Sequence, residues 1–203
     1  LSMSKKIFYL PHLEMSICNI RRKFVAILAE SDNFQFGELF KIIIYIEWRD
    51  CSMRQYEIKK ATKEDLWEIL DLQYIAYQSE AGLFGTQDIP PLKQTIDEVI
   101  EEYNNGVVLK MEDDNKIIGS VRARCDNGTV YIGKLMVNPQ YRKRGLGKRL
   151  LNEIEIRFPH CTYELFTSTL SRDNLRFYEC VGYVEYKSKQ IDDRLTFVYL
   201  KKR

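Results

Sequence analysis

The chain has 203 residues, 45% of them hydrophobic and 30% charged, which suits one domain with an extension or a single larger domain. Lys and Arg total 31 against 29 for Asp and Glu, a formal charge of +2, so the molecule as a whole is no electrostatic nucleic-acid binder. Cys18, Cys51, Cys125, Cys161 and Cys180 form an odd, irregularly spaced set without a CxxC pair, which argues for reduced thiols in a cytoplasmic protein and assigns none of them to a metal or to catalysis.

In chain order, Lys5 and Lys6 followed by Ile7-Phe8-Tyr9-Leu10 imitate the start of a signal peptide, but Pro11, His12 and Glu14 cut the apolar region short. The longest apolar stretch, 39–48, is interrupted by Lys41 and Glu47 and falls well below the roughly 20 residues of a membrane span. Within it, Ile42-Ile43-Ile44-Tyr45-Ile46 has high β-propensity and no charge. It must be buried, pair with a sheet edge or mediate self-association, which leaves a homodimer open. Met53-Arg54-Gln55-Tyr56-Glu57-Ile58 reads as a natural beginning, so residues 1–52 are expected to be an N-terminal extension of unknown role and 53–203 the folded domain. N-terminal mass spectrometry of the natively expressed protein tests this, and a mature start near Leu1 would contradict it.

From there the pattern is regular. Tyr56 and Ile58 alternate with charged residues as a first strand, and Thr62-Lys63-Glu64-Asp65 has the form of a capping box with Asp in the reaching-back position. A helix follows with Leu66, Ile69 and Leu70 on its apolar face, then a loop over 82–91. Thr95-Ile96-Asp97-Glu98 is a second capping box, opening a helix with Ile96, Val99, Ile100 and Tyr103 inward that Asn105-Gly106 ends. Strands are expected at 107–111, 117–125 and 130–137. Asp113-Asp114-Asn115 and Asp126-Asn127-Gly128 have hairpin chemistry, so the three are antiparallel neighbours. A helix from Leu146, a strand at 163–168, a helix near 173–180 and a closing hairpin of 183–186 with 196–200 complete a mixed, mostly antiparallel α/β sheet with helices on both faces.

The most informative stretch is Val137-Asn138-Pro139-Gln140-Tyr141-Arg142-Lys143-Arg144-Gly145-Leu146-Gly147-Lys148-Arg149-Leu150-Leu151, a strand joined to an amphipathic helix by a basic, glycine-bearing turn. Gly145 and Gly147 allow unusual dihedrals and close approach of a ligand to the main chain. Free amides and the dipole at the helix start favour an anion such as a pyrophosphate. Arg142, Lys143, Arg144, Lys148 and Arg149 crowd this turn, either as a solvated rim or as attraction for phosphates. A Walker loop is excluded because Arg149, not Ser or Thr, follows Lys148. A dinucleotide fingerprint is excluded because Leu150 stands where its third glycine belongs.

What remains, Arg142-x-x-Gly145-x-Gly147 after a strand, resembles the acetyl-CoA pyrophosphate motif of the GNAT acyltransferase superfamily. Glu164-Leu165-Phe166-Thr167-Ser168 and Asn174-Leu175-Arg176-Phe177-Tyr178-Glu179-Cys180-Val181-Gly182-Tyr183 resemble the family's next strand and helix. The resemblance implies acyl transfer from acetyl-CoA, without a metal, to a small-molecule or protein amine. It implies a cofactor lying between two splayed parallel strands, with the backbone at Leu135, Met136 and Val137 polarising the thioester carbonyl. The turn Arg142, Lys143, Arg144, Gly145, Leu146, Gly147 and Lys148 would hold the pyrophosphate, Asn174 the pantetheine by hydrogen bonding, and Phe177 by packing.

Tyr178 is the implied general acid, protonated at neutral pH and able to give its proton to a departing thiolate; the alternative is a core tyrosine. The strand 130–137 offers no Asp or Glu, unlike relatives that place a base there. Glu164 is then the best carboxylate base, against a structural Glu paired with Arg122 or Arg124, or a water chain alone. Acceptor contacts are expected from Tyr74, Tyr77, Gln78 and Glu80, followed by Gln87, Pro90, Pro91 and Gln94, with Glu80 either attracting a cationic amine or lying in solvent. A non-catalytic acyl-CoA-binding or regulatory module is the competing class, separable by amine-stimulated release of CoA.

Overall fold

The computed structural model describes residues 56–203, which form one compact unit. The expectations for 1–52, including the segment Ile42 to Ile46 and the boundary at Met53, lie outside the described residues.

Seven strands build one sheet in the order β1-β2-β3-β4-β5-β7-β6. They are β1 (Ile58–Lys60), β2 (Val107–Asp113), β3 (Lys116–Asp126), β4 (Thr129–Val137), β5 (Thr162–Ser168), β6 (Val184–Gln190) and β7 (Thr196–Lys202). All neighbours are antiparallel except β4 and β5, which run parallel. The hairpin turns take the expected left-handed conformations, at Asp114 and Asn115 and again at Asn127 and Gly128. The last strand inserts between β5 and β6, so the closing hairpin is joined to the sheet through β7.

Helices cover both faces, because strand alternation supplies two apolar surfaces. On one, Leu109, Ile118, Val121, Val130 and Ile132 meet Leu146, Leu150, Leu151 and Ile154 of α4 (Leu146–Arg157). Leu175, Phe177 and Tyr178 of α5 (Arg172–Cys180) pack beside them. On the other face, Val108, Ile117 and Met136 meet Leu66, Ile69, Leu70 and Leu72 of α1 (Leu66–Phe84) and Val99 of α3 (Ile96–Asn104). Val108 and Leu109, adjacent in sequence, belong to opposite cores.

The helix starts differ. Thr95 and Glu98 form a complete capping box: the Thr95 hydroxyl accepts the Glu98 N–H, and the Glu98 carboxylate accepts the Thr95 N–H at 2.7 Å. At Thr62 only half of one forms. Asp65 accepts the Thr62 N–H at 2.7 Å and the Thr62 hydroxyl, but among the described residues no backbone N–H donates to that hydroxyl, and the helix begins after Asp65. The expected loop 82–91 is also corrected: α1 runs through Gly82 to Phe84 and stops at Gly85, whose φ of 69° makes the left-handed cap, and Pro90–Lys93 is a short helix α2.

Candidate active site

The sheet opens where its two parallel strands part. Only Thr129, Val130 and Tyr131 of β4 pair with β5, opposite Thr162, Tyr163 and Glu164. Two residues later β4 carries a bulge: Gly133 pairs with Arg122 and Met136 with Ser120, so the register shifts across Lys134 and Leu135. Lys134 adopts φ 49°, unusual for a lysine. A bulge bends its strand and sharpens the local twist, which carries the edge of Leu135–Met136–Val137 away from β5. The gap is a cleft of about 2070 Å³, walled by α1, β4, β5, α5 and the segment between β6 and β7.

At one end lies the glycine turn. Gly145 has φ 77°, and no heavy atom stands within 4 Å of where a Cβ would sit. The amides of the first turn of α4 have no intrahelical acceptors, and no side chain caps the helix. Lys143, Lys148 and Arg176 line this end. These residues fit a pyrophosphate: a Cβ-free concavity, free N–H groups and three cations. Two details differ from expectation. Lys143, with φ 62°, is the second left-handed residue of the turn, whereas Gly147 is helical and serves by its small size: a Cβ there would lie 3.6 Å from Phe177 Cζ.

The basic side chains are divided between tasks. Arg142 is a brace: its guanidinium donates to Ala76 O at 2.9 Å, to Ser79 Oγ at 3.2 Å and to Val137 O at 3.3 Å, tying α1 to the end of β4. Arg144 donates to Gln140 O and lies over the Tyr141 ring. Arg149 donates to Tyr56 O, away from the cleft.

Tyr178 and Tyr77 both face the middle of the cleft. Burial pushes each phenol far above its ordinary value, with Glu80 adding to the shift of Tyr178 and the Tyr178 phenol to that of Tyr77, so both stay protonated at neutral pH. Neither hydroxyl makes a hydrogen bond among the described residues. Glu80 is not in free solvent: it accepts from Ser171 Oγ and from Asn174 Nδ2, each at 2.8 Å, bridging α1 to the start of α5. Asn174 therefore keeps its carbonyl oxygen and its second N–H for other partners.

Glu164 lines the cleft and accepts the Tyr186 hydroxyl at 2.8 Å, which helps burial push that phenol to about 12. The alternative, a structural pairing with Arg122 or Arg124, does not form. Arg122 is buried instead against Glu102, Gln94 and Gln73, while Arg124 stacks over Tyr131. Tyr74 and Gln78 are not in the cleft wall: the Tyr74 hydroxyl donates to Gln94 O, and Gln78 is exposed on α1. Tyr77 and Glu80 of the same helix do line it. Pro90 and Pro91 line the cleft too, whereas Gln94 is buried in the Arg122 network and Gln87 is exposed outside it. Lys134 was not anticipated; Gly133 inside a strand pattern is the signal for the bulge that carries it.

Residues 75–203 match the family model for the acetyltransferase (GNAT) domain. The chain belongs to the GNAT acetyltransferase family. Among solved structures, the ribosomal-protein-S18-alanine N-acetyltransferase of Escherichia coli superposes with a TM-score of 0.60 at 14% identity, over 72% of this chain and 92% of that one. The PaiA N-acetyltransferase of Thermoplasma acidophilum, in complex with coenzyme A, gives 0.60 at 17%, over 73% and 99%. YncA of Salmonella typhimurium, a putative acetyltransferase with its cofactor acetyl-CoA, gives 0.56 at 17%, over 72% and 92%. At such identities these likenesses concern the fold. No curated protein sequence matches the chain. Within the GNAT domain no helix of the described residues is long and apolar enough to cross a membrane, and no group of three or more His, Cys, Asp and Glu there could hold a metal ion.

Proposed function

We propose that this GNAT domain is an acetyl-CoA-dependent N-acetyltransferase that moves an acetyl group to a primary amine by direct attack on the thioester. The observation that carries the reading is the parting of β4 and β5 beside a left-handed glycine turn, which gives one ligand both a strand edge and a phosphate cradle. Acetyl-CoA supplies the activated acyl group when bound. The amides from Lys143 to Lys148 hold its pyrophosphate, and the edge at Leu135, Met136 and Val137 orients the carbonyl with donors fixed in advance. Phe177 packs on the pantetheine, and Asn174 hydrogen-bonds it through the groups that Glu80 leaves free.

Tyr178 keeps its proton at neutral pH and gives it to the departing sulfur. Glu164 accepts the proton of the incoming ammonium, with Tyr186 holding its carboxylate in place. Tyr77 forms the acceptor wall, and Glu80 holds that wall to α5. Residues 53–203 carry this activity and 1–52 are an extension to it.

Calorimetric titration of the full chain with desulfo-CoA, using ATP as control, tests the cradle. Micromolar binding selective over ATP is the expected result, and its absence would refute the cofactor assignment. Amine-stimulated release of CoA from acetyl-CoA then separates an enzyme from a binding module.

A further inference from the structure

We infer that Lys134 is an acetyl acceptor within the protein itself, a self-acetylation site presented to the acyl donor by the bulge of β4. The inference rests on the proposed function, since the donor is the acetyl-CoA of that cleft.

The geometry begins with the backbone. Lys134 sits in the bulge, beside the Leu135–Val137 edge assigned to the thioester carbonyl; half-buried, it lines the cleft and also a shallower hollow formed with Gln94, Glu98 and Glu102. Its left-handed φ of 49° costs a non-glycine residue strain, so surrounding structure must hold the backbone in the bulge. The ammonium lies 5.6 Å over the ring of Tyr77, whose phenol is close enough to Tyr178 to feel its charge. That sets one amine beside the two phenols and the strand edge where transfer takes place.

The chemistry of the amine agrees with its position. Among the described residues Lys134 makes no salt bridge and no hydrogen bond, whereas Lys110 and Lys202 are paired with carboxylates. Glu102 and Glu98 of α3 face it from a distance and favour the ammonium, while buried Arg122 opposes it. Burial is the larger influence and brings the amine below the ordinary lysine range. An unpaired amine in an acyl-transfer cleft, with burial favouring loss of its proton, is a candidate nucleophile.

The step balances without a further reagent. Lys134 Nζ attacks the thioester carbonyl carbon, the N–C bond forms as the C–S bond breaks, and the proton lost from nitrogen ends on the sulfur as free CoA thiol. The product is a neutral amide over the Tyr77 ring. It removes a positive charge from the acceptor end of the cleft, so the protein's own acetylation would tune which amines enter.

The test uses the full chain with acetyl-CoA bearing a deuterated acetyl group, no added amine, and peptide mass spectrometry over time. Lys134 should label at least about tenfold faster than the exposed Lys63 and Lys189, because a positioned amine has a high effective molarity. The rate should be independent of protein concentration, and desulfo-CoA should suppress labelling at Lys134 alone. Labelling of Lys134 no faster than of Lys63 and Lys189, in protein that still binds desulfo-CoA, would overturn the inference. Failure to bind desulfo-CoA would instead remove the cofactor reading on which it stands. An independent readout needs no donor. Reductive methylation of the unliganded protein with ¹³C-formaldehyde and NMR titration should show Lys134 titrating below the other lysines, and an ordinary or raised value would equally refute the inference.

Discussion

The two ends of the cleft are built by different means. The end proposed for the phosphates comes mainly from one continuous segment, 137–148, with Arg176 beside it, and its main parts are backbone: a left-handed glycine, free amides and a helix start. The wall proposed for the acceptor comes from side chains far apart in sequence. Arg122 of β3 donates to Gln73 of α1, 49 residues away, and to Gln94 and Glu102, while Gln73 donates to Gln94 at 2.9 Å. A backbone site tolerates side-chain change but not a change of dihedral; a side-chain wall does the reverse.

Mutations can break this contrast, and the largest effect belongs to the wall. Arg122→Ala strips three acceptors of their cation in a buried network and should lower stability by about 3 kcal/mol in denaturant unfolding. A loss below about 1 kcal/mol would show the network to be ornamental. Tyr178→Phe removes one proton donor and should cut turnover about a hundredfold while leaving desulfo-CoA affinity unchanged; equal turnover would remove it from the mechanism. At the other end, Gly145→Val forces a β-branched residue to φ 77°, which costs on the order of 1–3 kcal/mol and should weaken CoA binding about tenfold or more. By contrast, Lys143→Ala should lose only a modest, salt-dependent part of that affinity. An alanine effect as large as the valine effect would mean that side-chain charge, not backbone shape, makes the cradle.

Two smaller effects sharpen the picture. The phenols of Tyr77, Tyr178 and Tyr186 are all raised, to about 12 for Tyr186, so the folded state holds protons that the unfolded state releases near pH 10. Stability is therefore full below pH 10 and falls as pH rises beyond it. Unfolding midpoints from pH 8 to 11 together with phenolate absorbance should show tyrosines that ionise late. Thr95→Ala deletes one half of the capping box and should cost about 1 kcal/mol.

The glycine turn, the hairpins at Asp114 and Asn127, the Thr95 box and the antiparallel order of β2, β3 and β4 were all readable from local sequence. Turn residues, cap residues and period-two alternation act over a few positions. The partners of charged side chains were not. Arg142 has the look of a phosphate ligand in sequence and braces α1 in the fold, Glu80 bonds Ser171 and Asn174 across the cleft, and Glu164 meets Tyr186 rather than an arginine. The end of α1 also depended on which of two nearby glycines became the left-handed cap, Gly82 or Gly85.

By itself the sequence determined most of the strands and helices and the glycine turn on which the family resemblance rests, because each is decided by neighbours in the chain, whereas the end of α1 and the short helix α2 were not. Only the tertiary structure decided which cations are braces, which tyrosines share the cleft and that Lys134 turns into it. Those outcomes depend on burial and on contacts between residues tens of positions apart, and a bulge one residue wide changes which face a side chain occupies.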